Sequence, residues 1–584
     1  MILQALYEYY QRKAADPNGN IAPPGFEWKE IPFIIVVDDK GTFINLEDTR
    51  SMEGKHKKVK KFLVIKTKGR SGTNGWQVSN VLWDHQGYVL NYPKDDSEKA
   101  KVMAQKQHTV FRQLVSDLSN RYPSNLQFRA LTKFYENPAE MLKVFNHQNW
   151  ADCQKMPGVN LSFRVAGSPS IVSEDRDLYA SVNNNQGSAE AGPIDLMEGI
   201  CLVTGMRGAI TQLHSRTPVP GGESNGKLVS FQKNSGYDSY GKEQGLNAPV
   251  SKAVEDAYTT ALNELLGKDS RNKFKMADTT VVFWAHKQVD FEAQFPAFFS
   301  APEKDDPDRN IKEVHAFFES VYTGKLNLDG NTPFYVLGLS PNAARISVRF
   351  WKSSTVAAFA NNLVRHFTDL EMVKSKFEDK EHYSLFNLLT ACVFEHKIDN
   401  VPPYLPAKLI ECILDGSVYP ESLQQQCLRR IRAEQSISRV RAAILKACLN
   451  RKISIYKKSE KPITMALDKE NNNQGYLCGR LFAVLEKIQE DAQGNANIRE
   501  RYYGAASSTP VTVFGRMLNI KNHHMAKLGG GTKVYYEKLL QEIMEGVDST
   551  GLPAHLSLDD QSRFAIGYYH QRQDLFTKKD KSTN

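Results

Sequence analysis

Along the first part of the chain the apolar positions change rhythm several times. Leu3, Leu6, Tyr7 and Tyr10 recur at helical spacing and predict a helix over 2–14, which Asp16-Pro17-Asn18-Gly19 ends in a turn. The apolar run at 33–37 and the stretch 61–65, a short apolar run leaving a lysine cluster, have the length of strands, and 81–83 and 88–90 continue in strand character. Helical spacing returns at 105–119 and 130–144. From about 160 to 350 the pattern is mixed. Strands are expected at 200–204, 227–231, 279–284, 334–337 and 346–351, with a helix at 253–266 between the second and third. From about 354 onward the chain reads almost entirely as helix. Val401-Pro402-Pro403-Tyr404-Leu405-Pro406 punctuates it, and Pro406 suits the first turn of a new helix. A polar break at 457–464 precedes a final stretch in which Leu477, Leu481, Val484, Leu485 and Ile488 mark one helical face and Tyr535, Leu539 and Ile543 another. The pattern predicts an α+β multidomain protein. Residues 1–160 and 161–353 are mixed α/β regions, 354–464 a basic helical region, and 465–584 a C-terminal helical bundle.

Composition changes this picture little. The 584 residues are 41% apolar and 24% charged, which excludes a disordered or fibrous chain. The longest aliphatic run, 33–37, is far short of a membrane span, and the opening Met1-Ile2-Leu3-Gln4 has no secretion-signal character. The seven cysteines are dispersed with no CxxC, as expected of buried, reduced thiols in a cytoplasmic protein.

Charge changes it more. From Gly54 to Trp83 there is no acidic residue and there are eight cations: Lys55, Lys57, Lys58, Lys60, Lys61, Lys66, Lys68 and Arg70. A second concentration, 427–462, sets eleven cations, among them Arg429, Arg432, Arg439, Arg441 and Lys446, against Glu434 and Glu460. That local excess equals the net charge of the whole chain, +9. Clustered cations attract phosphate backbones in a salt-dependent, sequence-blind manner; a solvated face is the other reading.

Few stretches carry recognisable chemistry. Gly221-Gly222-Glu223-Ser224-Asn225-Gly226-Lys227-Leu228 matches GxxxxGK but lacks the following Ser or Thr, and its context has prolines before and a strand after. The paired His523-His524 is a poor chelator, because neighbours on a helix point apart. No cofactor, metal site or catalytic constellation is expected. Gly69-Arg70-Ser71-Gly72-Thr73-Asn74-Gly75 is the best functional candidate. Its glycines let backbone N–H groups approach phosphates, Arg70 can reach a base edge bidentately, Asn74 or Asn80 can pair with one, and Lys66 and Lys68 can hold the flanking backbone. A plain turn between strands is the alternative.

At this loop the chain resembles a known family. Lys66…Arg70-Ser71-Gly72…Asn80-Val81-Leu82-Trp83-Asp84, together with Ser239-Tyr240-Gly241-Lys242-Glu243-Gln244-Gly245, Thr280-Val281-Val282-Phe283-Trp284-Ala285, Phe334-Tyr335-Val336-Leu337-Gly338 and Cys427-Leu428-Arg429-Arg430-Ile431-Arg432, is similar to the large subunit of the type I-C CRISPR Cascade complex. The resemblance implies a non-catalytic subunit of an RNA-guided DNA surveillance complex. Such a subunit recognises the protospacer-adjacent motif (PAM) in duplex DNA, helps open the duplex and stabilise the R-loop. Its implied partners are the crRNA-containing backbone subunits, a small subunit, target double-stranded DNA with its displaced strand, and a helicase-nuclease. On this reading Arg70, Ser71, Asn74 and Asn80 face the PAM, with Lys66 and Lys68 on its phosphates. Lys57, Lys58, Lys60, Arg429, Arg432, Arg439, Arg441 and Lys446 lie along backbone elsewhere. The C-terminal helices resemble the small subunit, with Met465 as a candidate internal translation start. A metal-dependent nuclease with a composite site and a general nucleic-acid-binding protein are the competing readings.

Overall fold

The structure, a computed structural model, describes residues 1–17, 19–53, 56–66, 70, 73–156, 158–185, 197–233, 236, 238, 240–299, 331–343, 345–375 and 382–577. About half of it is helix, combined with several small sheets, so the chain is an α+β protein. By internal contacts it divides into two compact units. One is Met1–Pro218, Glu223–Glu264 and Ala343–Arg345; the other is Val219–Gly222, Leu265–Asn342 and Ile346–Asn584.

The first unit opens with helix α1 (Ile2–Ala15) and strands β1 (Phe26–Glu30), β2 (Phe33–Val37), β3 (Phe43–Asp48), β4 (Arg50–Glu53), β5 (His56–Val59) and β6 (Lys61–Ile65). After the candidate loop come β7 (Trp83–His85) and helices α2 (Gln86–Leu90), α3 (Glu98–Arg121), α4 (Leu126–Glu136), α5 (Pro138–Phe145) and α6 (Trp150–Gln154). Then follow β8 (Asn160–Val165), α7 (Arg176–Asn185), the short ribbon β9 (Glu198–Ile200) and β10 (Arg207–Ala209), and α8 (Lys252–Leu266). The central sheet has the order β3-β2-β8-β7, with β2 and β8 parallel and the outer pairs antiparallel. The run Phe33-Ile34-Ile35-Val36-Val37 is apolar on both faces because both faces are covered. Phe33, Ile35 and Val37 pack with Phe111, Phe128, Leu131 and Phe134 of the helices. Ile34 packs on the other side with Phe62, Val64 and Trp83, where β6 pairs with β1.

The second unit contains an antiparallel sheet, β11 (Lys273–Met276), β12 (Thr279–Ala285), β13 (Pro333–Asn342) and β14 (Arg345–Thr355), in sequence order. The short α9 (Phe291–Gln294) lies between β12 and β13 in sequence. Helices follow: α10 (Val356–Leu370), α11 (Leu385–Ala391), α12 (Tyr404–Asp415), α13 (Glu421–Glu434), α14 (Arg439–Tyr456), α15 (Gln474–Gln493), α16 (Ile498–Ala506), α17 (Val511–Met525), α18 (Gly530–Glu545) and α19 (Leu558–Phe576). Helices α15 and α19 approach so closely that a methyl at Gly479 would overlap the Phe564 carbonyl, and one at Gly567 the Tyr476 carbonyl. No helix among the described residues is long and apolar enough to cross a membrane.

Several local expectations need correction. Residues 88–90 are helix α2, not strand, because His85 caps Gly87 N–H through Nδ1 and turns the chain. Residues 227–231 form no regular element, and the expected strand at 200–204 ends at Ile200. The expected helix at 130–144 is two helices, broken where Asn137 caps the second and Pro138 occupies its first turn. The GxxxxGK stretch is a set of turns; no helix follows it, so it lacks the context of a nucleotide loop.

Candidate nucleic-acid interface

The residues expected to contact nucleic acid fall on three parts of the chain: the 66–85 loop, the ribbon before it, and the basic helices of the second unit. In the loop, the Arg70 side chain is turned inward. Its Nη1 donates to Asp84 Oδ1 at 3.0 Å, its Nη2 to Asp84 Oδ2, and its Nε to the Val78 carbonyl at 2.6 Å. The guanidinium lies 4.1 Å from the centre of the Tyr88 ring. Asp84 is 1% exposed and also accepts from the backbone N–H groups of Asn80 (2.9 Å) and His85 (2.8 Å). Tyr88 Oη donates to the Trp76 carbonyl at 2.9 Å, and burial pushes its pKa up to about 12. A one-turn 3-10 helix, Gly75–Gln77, is thus clamped onto β7 and α2.

Lys66 is equally committed. Its Nζ donates to Asp256 Oδ1 at 3.0 Å and Thr259 Oγ1 at 2.8 Å on α8, tying the end of β6 to that helix. The expectation that Arg70 and Lys66 face DNA is therefore not met in this conformation, because buried or half-buried partners within the chain occupy both cations. Lys68 and Ser71 lie outside the described residues. Asn80 is half-buried with its N–H on Asp84; Asn74 is exposed at the start of the 3-10 turn.

The β4–β5 ribbon pairs Arg50 with Val59, Ser51 with Lys58 and Met52 with Lys57. Arg50 anchors its base: it binds Asp48 at 2.7 Å and Asp152 at 3.1 Å and lies over the Phe33 ring. Lys57, Lys58, Lys60 and Lys61 are exposed on the ribbon and the strand it feeds. Among the described residues Lys57 has one ion pair, a long one to Asp152 at 3.7 Å. This cluster is a solvent-facing cationic arm on a fixed base, the arrangement expected of a phosphate contact.

The second sequence cluster is different. Arg439, Arg441 and Lys446 are 8%, 2% and 3% exposed, so the expectation that they line a backbone path is corrected. They sit on α14, the central helix of the second unit, whose residues are buried on almost every side. Arg441 Nε donates to the Ala391 carbonyl at 2.9 Å and Arg439 Nε to the Met372 carbonyl at 3.0 Å; Arg451, of the same cluster, donates to the Ser417 carbonyl at 3.1 Å and to Asp369 at 2.8 Å. Those carbonyls lie at or just beyond the C-terminal ends of α11, α10 and α12. Arg441 thus satisfies an orphan carbonyl of α11, and all three cations stand near the negative C-terminal ends of neighbouring helices. Burial lowers the Lys446 pKa. Arg430 and Arg441 pair with Glu434, and Lys452 with Asp559 at 2.7 Å. Arg429 and Arg432 alone of the expected set on these helices are exposed, and Arg432 bonds Gln561 at 2.7 Å.

The sequence reading missed a third stretch. From Arg501 to Tyr536 there is no acidic residue. Arg516, Lys527 and Lys533 are exposed and Lys521 half-buried on and beside α17 and the start of α18, and none is ion-paired among the described residues. Its five cations are spread too thinly to stand out against the denser runs. Lys106 was also missed: it is exposed on α3, with Nζ 5.4 Å from the Trp76 ring, beside the loop.

A family model described as CRISPR-associated protein (Cas_Csd1) matches residues 6–576. The chain belongs to that family. The match covers both units, so the basic ribbon, the clamped loop and the helical region all lie within the Cas_Csd1 span. No curated protein matches the chain.

Proposed function

We propose that this Cas_Csd1-family chain is the non-catalytic large subunit of a type I-C RNA-guided DNA surveillance complex. It recognises the protospacer-adjacent motif in duplex DNA through the 70–80 loop, with the β4–β5 ribbon as a backbone contact. It helps open the duplex, stabilises the R-loop, and presents a surface to the helicase-nuclease. Its partners are the crRNA-bearing backbone subunits, a small subunit, the target duplex and the displaced strand. The family match over 6–576 carries this reading. The cationic ribbon supports it, because guide pairing supplies sequence while protein supplies flank reading and backbone contact.

The test is duplex binding by the reconstituted guide complex on targets that differ only in the flanking motif. Flank-dependent affinity that requires this chain is expected; equal affinity for all flanks overturns the proposal. Magnesium-dependent cleavage of DNA by the chain alone would overturn its non-catalytic part.

Within the same proposal, Met465 is an internal start that yields a small-subunit-like polypeptide. It is 55% exposed in the connection between α14 and α15, ahead of the helical bundle that starts at Gln474. Persistence of the short polypeptide after Met465→Ala would refute it.

A further inference from the structure

With Arg70 engaged by Asp84 and Tyr88, a different set of groups faces outward from the loop. Asn74 and Gln77 are both exposed, and neither carboxamide is bonded to another described residue. They stand three residues apart on a 3-10 turn, where side chains at i and i+3 rise on the same side. Lys106 stands exposed beside them, over Trp76.

The turn beneath them is held at several points. Gln77 N–H donates to the Asn74 carbonyl at 3.0 Å and Val78 N–H to the Gly75 carbonyl at 3.3 Å. Tyr88 holds the Trp76 carbonyl, Arg70 holds the Val78 carbonyl, and Asp84 holds the Asn80 N–H. Gly75 lets the turn lie against Arg70, since a methyl there would come within 3.3 Å of Arg70 Cβ. The backbone that carries the two exposed carboxamides is pre-organised, so binding has to order only the side chains themselves.

We propose that the base edges of the flanking motif are read by the carboxamides of Asn74 and Gln77, with Lys106 on the neighbouring phosphate, and that Arg70 is a positioning residue that fixes the turn through Asp84. The inference rests on the flank-reading function proposed above. A carboxamide presents one donor and one acceptor side by side, the complement of adenine N6 and N7 in the major groove, whereas guanine there offers two acceptors and suits a guanidinium. An Asn/Gln pair therefore favours A·T at the positions it touches. Lys106 contributes affinity without base preference.

The experiment is a competition binding assay of the reconstituted guide complex against duplexes in which each flanking base is varied. It compares the wild-type chain with Asn74→Ala, Gln77→Ala, Lys106→Ala, Arg70→Lys and Asp84→Asn, and thermal unfolding of each chain is recorded alongside. The wild type is expected to favour adenine at one or more flanking positions. Asn74→Ala and Gln77→Ala should each lose about 5- to 150-fold of that preference while unfolding as the wild type does. Lys106→Ala should weaken all flanks alike. Arg70→Lys and Asp84→Asn should both lower discrimination at every position together, because each releases the turn. Wild-type preference retained in both Asn74→Ala and Gln77→Ala overturns the proposal. So does discrimination that survives Asp84→Asn but is lost in Arg70→Lys, which would make Arg70 the reader. A wild type blind to every flank refutes the flank-reading function itself, an outcome distinct from either of these.

Discussion

Arg70 shows how a residue type and its neighbourhood can point in opposite directions. An arginine in a glycine-rich, acid-free loop is the pattern of a nucleic-acid contact, and the acid-free window stops at Trp83, one residue before the carboxylate that takes the guanidinium. Removing Arg70 leaves the Asp84 carboxylate buried and without its counter-charge. Breaking such a pair costs roughly 3–5 kcal/mol, and the 27% exposure of the Arg70 side chain puts this one toward the low end. Arg70→Ala should lower the thermal unfolding midpoint of the first unit, as read by calorimetry; an unchanged midpoint would mean that the pair is not formed in solution. The buried arginines of the second unit extend the point. Arg451 is 0% exposed and joins Asp369 to the Ser417 carbonyl. Arg451→Met should destabilise the helical unit without altering the salt dependence of DNA binding, whereas loss of a phosphate contact would reduce that dependence by about one unit of slope. Sequence reading located these cations and their density. It could not show that Arg439, Arg441 and Arg451 would meet the ends of three other helices, because those partners lie far away in the chain.

Elements were legible where one physical cause dominated. The run at 33–37 is β2, apolar throughout and buried against partners, and 61–65 is β6, whose Phe62 and Val64 are buried while Lys61 is exposed. The stretch 88–90 has the same apolar character, yet it is α2, because the cap at His85 decides the local turn before packing does. The four-stranded sheet of the first unit was not foreseen, since its central β2–β8 pairing joins strands more than a hundred residues apart. The β4–β5 ribbon is the element on which nonspecific affinity should depend. The double substitution Lys57→Ala/Lys60→Ala should weaken binding to all duplexes alike and lower the salt slope by about two, measured by titration across salt concentrations. A change in flank preference instead would place base reading on the ribbon. The C-terminal bundle depends on close helix approach. Gly479→Ala should cost more than about 3 kcal/mol, because the obstacle is the Phe564 backbone carbonyl and not a side chain that can swing away.

For the molecule as a whole, pH gives a check that needs no partner. His214 in the first unit and His366 and His570 in the second are buried, and each shares a hydrogen bond with a tyrosine hydroxyl: Tyr258, Tyr419 and Tyr476. Burial lowers their pKa values to about 4, 3 and 3, so all three stay neutral in the folded chain. An unfolded histidine takes up a proton near pH 6.5, so the stability these groups confer is fully present above that value and is lost as pH falls below it. At pH 5 each contributes a loss of roughly 2 kcal/mol, and His366→Gln should flatten the acid limb of the helical unit's stability curve. Charge behaves differently at this scale than along the sequence. The denser helical cluster is largely consumed by internal caps and ion pairs, while the ribbon and the thinner Arg501–Tyr536 stretch present their cations to solvent. The measurement that tests the central claim most directly is the ratio of affinities of the reconstituted guide complex for two duplexes that share a target and differ only in the flanking motif, taken with and without this chain. A ratio well above one that collapses when the chain is left out is the predicted result. A ratio of one with the chain present, or an unchanged ratio in its absence, would contradict the account.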